Sequence, residues 1–197
     1  MILVVGLGNP GRRYRNTPHN LGFRVCERIA ELGSFDAEVE KFEARFLRGR
    51  IDGKDTGLLM PQTYMNLSGE SVARAMRYLP VTLDDLIVVF DDMDLPLGRL
   101  RVRPGGGAGG HNGVRSLIQS LGTQSFARVR VGVGRPSDGR SPTGHLLGRI
   151  SEEDRPRFEA AVARAADAAR CIWNHGVAEA MNRFNAEPGD DSTEGTS

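Results

Sequence analysis

The sequence predicts one α/β domain, a twisted, mostly parallel but mixed sheet flanked by helices, with a disordered acidic tail at its C-terminus. Three observations predict it. Helix-like and strand-like segments are mixed along the whole chain. Two strand-like runs, Ile2–Gly6 and Leu86–Phe90, are continuously apolar, the pattern of strands covered on both faces. At 197 residues the chain suits a single domain, which buries roughly 70% of its unfolded surface and needs no disulfide or metal to fold.

The elements follow in order. Ile2–Gly6 is a first strand ending in glycines, and no basic segment precedes it as in a signal peptide. Leu21, Val25, Ile29 and Leu32 make a helical stripe, with Asn20 as N-cap and Gly33 as its stop. Ala44–Ile51 and Thr56–Met60 flank Asp52-Gly53, a hairpin signal. Ser68–Leu79 is a second amphipathic helix, stopped by Pro80, and Leu86–Phe90 is a central strand. Arg99–Arg103 alternates arginine with Leu100 and Val102, giving a strand with one basic face. Asn112–Leu121 is a helix closed by Gly122, and Arg128–Val133 alternates again. Glu152–Cys171 and Val177–Phe184 are the last helices. The domain therefore spans 1–185, and 186–197 is a disordered acidic tail.

Composition narrows the function. With 39% hydrophobic and 26% charged residues, the chain is neither collagenous nor bulk-disordered. No apolar run approaches the roughly 18 residues of a spanning helix. Cys26 and Cys171 lack metal-ligand spacing, which argues for a reducing compartment and against zinc. The net charge of +1 hides an asymmetry: Glu187, Asp190, Asp191 and Glu194 make the tail −4, so the body is +5. Between Leu95 and Ser137 stand seven arginines and no acid, a surface suited to phosphates. Compositional bias explains arginine in place of lysine, but it does not explain the missing acids.

Five motifs carry the candidate chemistry. Gly6-Leu7-Gly8-Asn9-Pro10-Gly11 matches a dinucleotide fingerprint, but Arg12-Arg13-Tyr14-Arg15-Asn16-Thr17-Pro18 follows where a helix should start. It reads instead as a turn presenting Asn9. In Thr17-Pro18-His19-Asn20, His19 precedes a helix whose dipole favours the neutral imidazole a general base needs; it equally fits an ordinary flanking residue. In Thr63–Gly69, Asn66 offers an amide to a peptide-like group and Tyr64 a stacking face, while Ser68 or Asn66 equally suits a helix cap. Asp91, Asp92 and Asp94 follow a central strand, where Asp91 can orient a histidine or the three can hold Mg²⁺. Strand alternation sends Asp91 and Asp92 to opposite faces, against one shared metal. Gly105–Gly113 lacks the Gly-Lys-Ser/Thr ending of a nucleotide-hydrolysing loop, and it leads into a helix at Asn112. No GxSxG elbow or HExxH is present, and neither cysteine has a histidine nearby in sequence. The remaining set suits attack by water on an acyl ester carried by a nucleic acid.

GLGNPG, TPHNLG, TYMNLSG, DDMDLPLG and GGGAGGHNG, in this order and at this spacing, resemble the bacterial peptidyl-tRNA hydrolase family over about Met1–Asn185. The resemblance implies a metal-independent, cofactor-free, monomeric hydrolase of the cytoplasm. Its partner is peptidyl-tRNA, held by the acceptor stem and 3′ end, and no membrane is involved. Such an enzyme cleaves the ester between peptide and tRNA and recycles tRNA from stalled or abortive translation. By the same resemblance His19 is the base that activates water, and Asp91 holds it in its basic form. Asn9 helps distinguish N-blocked from free aminoacyl-tRNA. Asn66 and Asn112 bind near the scissile ester, Tyr14 and Tyr64 meet the tRNA 3′ end, and Arg101, Arg103 and Arg130 take acceptor-stem phosphates. One position departs: relatives commonly carry arginine before the histidine, and here it is Pro18. The competing expectations are a non-catalytic, splicing-factor-like RNA binder of the same fold, a Mg²⁺-dependent hydrolase or nuclease, and a dinucleotide-dependent oxidoreductase.

Overall fold

The computed structural model describes residues 1–136, 139 and 141–186. Eight strands form one sheet: β1 (Ile2–Gly6), β2 (Ser34–Phe35), β3 (Val39–Lys41), β4 (Ala44–Ile51), β5 (Lys54–Pro61), β6 (Leu86–Asp92), β7 (Leu100–Arg103) and β8 (Ala127–Gly132). Their order is β2-β4-β5-β1-β6-β8-β7, with β3 pairing β4 off this path. The four central strands, β5, β1, β6 and β8, run parallel, whereas β4 and β7 are antiparallel to their neighbours. The sheet is thus mixed and mostly parallel, as expected.

The helices are α1 (Leu21–Leu32), α2 (Ser68–Tyr78), α3 (Asn112–Leu121), α4 (Pro142–Leu147), α5 (Arg155–His175) and α6 (Val177–Asn185). Alternate residues of each central strand feed two separate cores, which is why those strands are apolar throughout. Val4, Ile87 and Val89 join Val25, Ile29, Phe158 and Trp173 on the α1–α5 face. Leu3, Val5, Val88 and Phe90 join Val72, Val114 and Leu117 on the α2–α3 face. The hairpin expected at Asp52-Gly53 is β4–β5. The last long helix starts at Arg155 rather than Glu152 and runs on to His175. The short strands β2 and β3 and helix α4 carry no periodicity long enough to read in advance. The expected acidic tail lies, beyond Ala186, outside the described residues.

The glycines of the first motif have structural reasons of their own. A Cβ on Gly6 would lie 2.1 Å from the carbonyl oxygen of Gly22, and one on Gly22 would lie 2.3 Å from the backbone nitrogen of Leu7. A Cβ on Gly8 would strike the Phe23 ring, and Gly11 sits at φ 103. Helix α1 therefore packs backbone to backbone on the end of β1. The fingerprint spacing is met by close packing, and the chain beyond it forms 3-10 turns at Arg12–Tyr14 and Pro18–Asn20 instead of a helix. Gly6→Ala is expected to destabilise the fold by about 1–3 kcal/mol or more, because backbone atoms cannot move aside as side chains can. A urea midpoint equal to that of the wild type would refute this.

Candidate active site

The site lies at the C-terminal ends of β1 and β6, where open α/β sheets expose their ligand crevices. Past β1, the Leu7 N–H still donates to the Val89 carbonyl at 3.0 Å, which holds the turn carrying Asn9 beside β6. Asp91 is the penultimate residue of β6 and is 2% exposed. His19 is the middle residue of the turn Pro18–Asn20 and is 9% exposed. Pro18 opens that turn, a position where its fixed φ fits and its missing N–H costs nothing.

His19 Nδ1 hydrogen-bonds both Asp91 oxygens, at 2.8 and 2.9 Å. A carboxylate only accepts, so the neutral ring carries its proton on Nδ1 and keeps its lone pair on Nε2. His19 lines the cleft, and Nε2 has no hydrogen bond among the described residues.

His111 completes the arrangement, and the sequence reading did not single it out. It caps α3: its Nδ1 accepts from the N–H groups of Gly113 at 3.2 Å and Val114 at 3.3 Å. That leaves its proton on Nε2, which donates to Asp91 at 3.1 Å. The cap expected at Asn112 thus belongs to His111. Phe90 lies edge-on to the His111 ring at 5.0 Å, and the His19 ring stands 5.2 Å from it. Burial pushes the Asp91 carboxyl up, but His19 and His111 outweigh burial and hold it well below the usual carboxylate range. The missed signal was a histidine one residue before a helix, ahead of two free N–H groups.

Asn9 is braced from three directions. Its N–H donates to Asn20 Oδ1 at 2.8 Å, its carbonyl accepts from Asn20 Nδ2 at 2.9 Å, and its Oδ1 accepts from the Met65 N–H at 3.0 Å. With Oδ1 occupied, the amide NH₂ is the group left for the cleft. Asn20 was expected as a helix cap. It stands at that position, but its side chain makes no cap bond and braces Asn9 instead.

The cleft has a volume of about 780 Å³. Asn9, His19, Asp91, Tyr64, Asn66 and Asn112 all line it, as do Arg103 and Arg130. Tyr64, Asn66 and Asn112 are exposed, and Asn112 Oδ1 accepts from Arg115 at 3.0 Å. Tyr14 and Arg101 are not among the lining residues. Tyr14 lies half-buried on the Arg12–Tyr14 turn, under the Arg13 guanidinium at 4.5 Å.

Arg101 stands directly opposite Arg130, and Arg103 opposite Arg128, on one face of β7–β8. Like charges in that position destabilise a sheet, so this face suits an anionic ligand. Asp92 pairs with Arg130 at 2.6 Å. Arg128 is 2% exposed, lies over the Phe126 ring at 4.3 Å, and donates to the carbonyls of Gly107 and Gln124. Its Nε has no partner, and burial, then Arg130, pulls its guanidinium down to about 10. Arg128 ties the glycine-rich loop to β8, a role invisible in sequence.

The expected acidic cluster is divided among three tasks. Asp91 serves the histidines, Asp92 serves Arg130, and Asp94 pairs with Arg135 at 2.5 Å. His19, Asp91 and His111 do bring three metal-capable atoms within 4.8 Å of one another. Those atoms already bond to each other, and a cation there would break both contacts. Both cysteines are free and buried. No helix among the described residues is long and apolar enough to cross a membrane.

Comparison with known proteins agrees with this geometry. Residues 3–192 match the family model described as peptidyl-tRNA hydrolase. The chain is 46% identical over 185 residues to the peptidyl-tRNA hydrolase of Geobacillus kaustophilus, covering 94% of this chain and 100% of that protein. It is 43% identical over 187 residues to that of Bacillus subtilis, covering 95% and 100%. The crystal structure of peptidyl-tRNA hydrolase from Acinetobacter baumannii matches with a TM-score of 0.87 at 35% identity, covering 94% of this chain and 95% of that one. A uridine phosphorylase from Vibrio fischeri, at 13% identity and a TM-score of 0.53, shares the fold alone. In sequence over nearly its whole length and in fold, the chain belongs to the peptidyl-tRNA hydrolase family.

Proposed function

We propose that this protein hydrolyses the ester joining a peptide, or another N-blocked aminoacyl group, to the 3′ end of tRNA. It acts as a cytoplasmic monomer without metal or cofactor and returns tRNA from stalled or abortive translation. The observation that carries the reading is the bond from His19 Nδ1 to buried Asp91, with Nε2 left facing the cleft. Water attacks the ester carbonyl, and His19 Nε2 takes its proton. Asp91 holds the tautomer and stabilises the imidazolium that forms. His111 donates to the same carboxylate and keeps it in place.

Amide groups of Asn66 and Asn112 meet the ester and the developing oxyanion; losing one such donor typically costs about 10²–10³-fold. The Asn9 NH₂ meets the blocked amino group of the substrate, and a free ammonium there has no acceptor to greet it. Tyr64 and Tyr14 contact the 3′ end, and Arg101, Arg103 and Arg130 take acceptor-stem phosphates.

The test is release of N-acetyl-amino acid from N-acetyl-aminoacyl-tRNA in EDTA, with unblocked aminoacyl-tRNA as control. Only the blocked substrate is expected to be cleaved, at an undiminished rate in EDTA, and kcat/KM should fall as salt rises. Binding of tRNA without cleavage would replace this reading with that of a non-catalytic RNA binder. Loss of activity in EDTA, restored by Mg²⁺, would return the acidic cluster to the chemistry.

A further inference from the structure

Beyond Asn9 the cleft adjoins a second groove, of about 250 Å³, that the proposed mechanism does not use. Asn9 is a wall of both. Arg12, Arg15, Arg24, Arg45 and Gln62 line the groove, and its one carboxylate is Glu27. Two of the arginines are engaged. Arg24 pairs with Glu159 at 2.9 Å and Glu27 at 3.6 Å, and Arg45 pairs with Glu38 at 2.8 Å and Glu27 at 3.1 Å. Arg12 and Arg15 are exposed and have no ion-pair partner among the described residues. Two free guanidinium groups therefore edge a groove whose carboxylate is already shared.

The sheet order indicates which arm of the substrate reaches it. His19 and Asp91 sit over β6. The opposed arginines lie on β8 and β7, to one side of β6; the groove lies on the other side, past β1, with Arg45 on β4 and Gln62 just after β5. At about 4.8 Å per strand, the groove stands roughly 10–15 Å from the arginine face. An ester has one acid arm and one alcohol arm, and they leave the reacting carbon in different directions. The RNA arm takes the β7–β8 side, so the peptide arm leaves past Asn9. Extended peptide rises about 3.3 Å per residue, so the two or three residues before the esterified one reach the groove.

We propose that this groove is a peptide subsite that selects acidic side chains in the residues preceding the esterified amino acid. The proposal rests on the hydrolase reading above.

The experiment compares three substrates on the full chain: N-acetyl-Asp-Asp-Lys-tRNA, N-acetyl-Asn-Asn-Lys-tRNA and N-acetyl-Lys-tRNA. The wild type is expected to favour the Asp substrate over the Asn substrate by about threefold to tenfold in kcat/KM at low salt, the scale of two exposed charge pairs. In the Arg12→Gln/Arg15→Gln double variant that preference disappears, while N-acetyl-Lys-tRNA is cleaved as before. Both side chains project from the surface, so the variant keeps its fold, checked by an unchanged urea midpoint. Equal wild-type rates on the Asp and Asn substrates would overturn the proposal. So would an equal loss by the variant on all three substrates, which would assign the arginines to RNA. Failure of the wild type to cleave any of the three would instead refute the hydrolase reading.

Discussion

His19→Ala is expected to lower turnover of N-acetyl-aminoacyl-tRNA by about 10²–10⁴-fold while leaving tRNA affinity within about twofold, as for a well-placed general base. The split follows from where the contacts lie. The imidazole touches Asp91 below it and the cleft above it, whereas the arginines that meet RNA lie on other strands. Removing the ring takes away the proton acceptor and no phosphate contact. The measurements are single-turnover hydrolysis and filter binding of tRNA to the same preparation. A variant that keeps a tenth of wild-type activity would show that water is activated elsewhere.

Asp91→Asn is expected to cost a similar amount, about 10²–10⁴-fold in kcat, for a different reason. Asp91 accepts N–H bonds from two imidazoles at once. An amide of the same shape has one acceptor and one donor, so it cannot accept from both rings with both of its ends. Where its NH₂ meets His19 Nδ1, the proton moves to Nε2 and the base is lost. Stability carries a second signature. The folded carboxyl titrates well below its ordinary range, so ionised Asp91 contributes stability that is fully present above about pH 4, the unfolded value. That contribution is lost as pH falls from there toward the folded value. Urea midpoints should therefore drop in acid more steeply for the wild type than for Asp91→Asn. Parallel curves for the two proteins would argue that the His19–Asp91–His111 contacts carry no such linkage.

Much of this arrangement was legible in advance. Continuous apolar runs mark β1 and β6, because a strand covered on both faces has no polar side to show. The alternation at Leu100 and Val102 places arginines on the opposite face of β7. Neither pattern says that Arg101 and Arg130, or Arg103 and Arg128, stand opposite each other, since that register joins residues about 25 to 30 apart in the chain. The motif glycines were legible as a turn, but Gly6 and Gly22 serve a backbone-to-backbone contact that appears only once α1 lies on β1.

Local pattern alone determined the layered α/β class, the order of the main elements and the family. It also drew attention to His19, Asp91, Asn9, Asn66 and Asn112, because helix, strand and turn preferences act over a few residues and leave a periodic trace. Only the tertiary structure decided that His111 rather than Asn112 caps α3, that Asn20 holds Asn9, that Arg128 is buried against the glycine loop, and that Asp92 and Asp94 answer arginines. Each of those facts depends on two groups meeting after the sheet has assembled. A hydrogen bond across 72 residues, as from His19 to Asp91, leaves no periodicity in the chain, because its partners are set by strand order and packing rather than by their sequence neighbours.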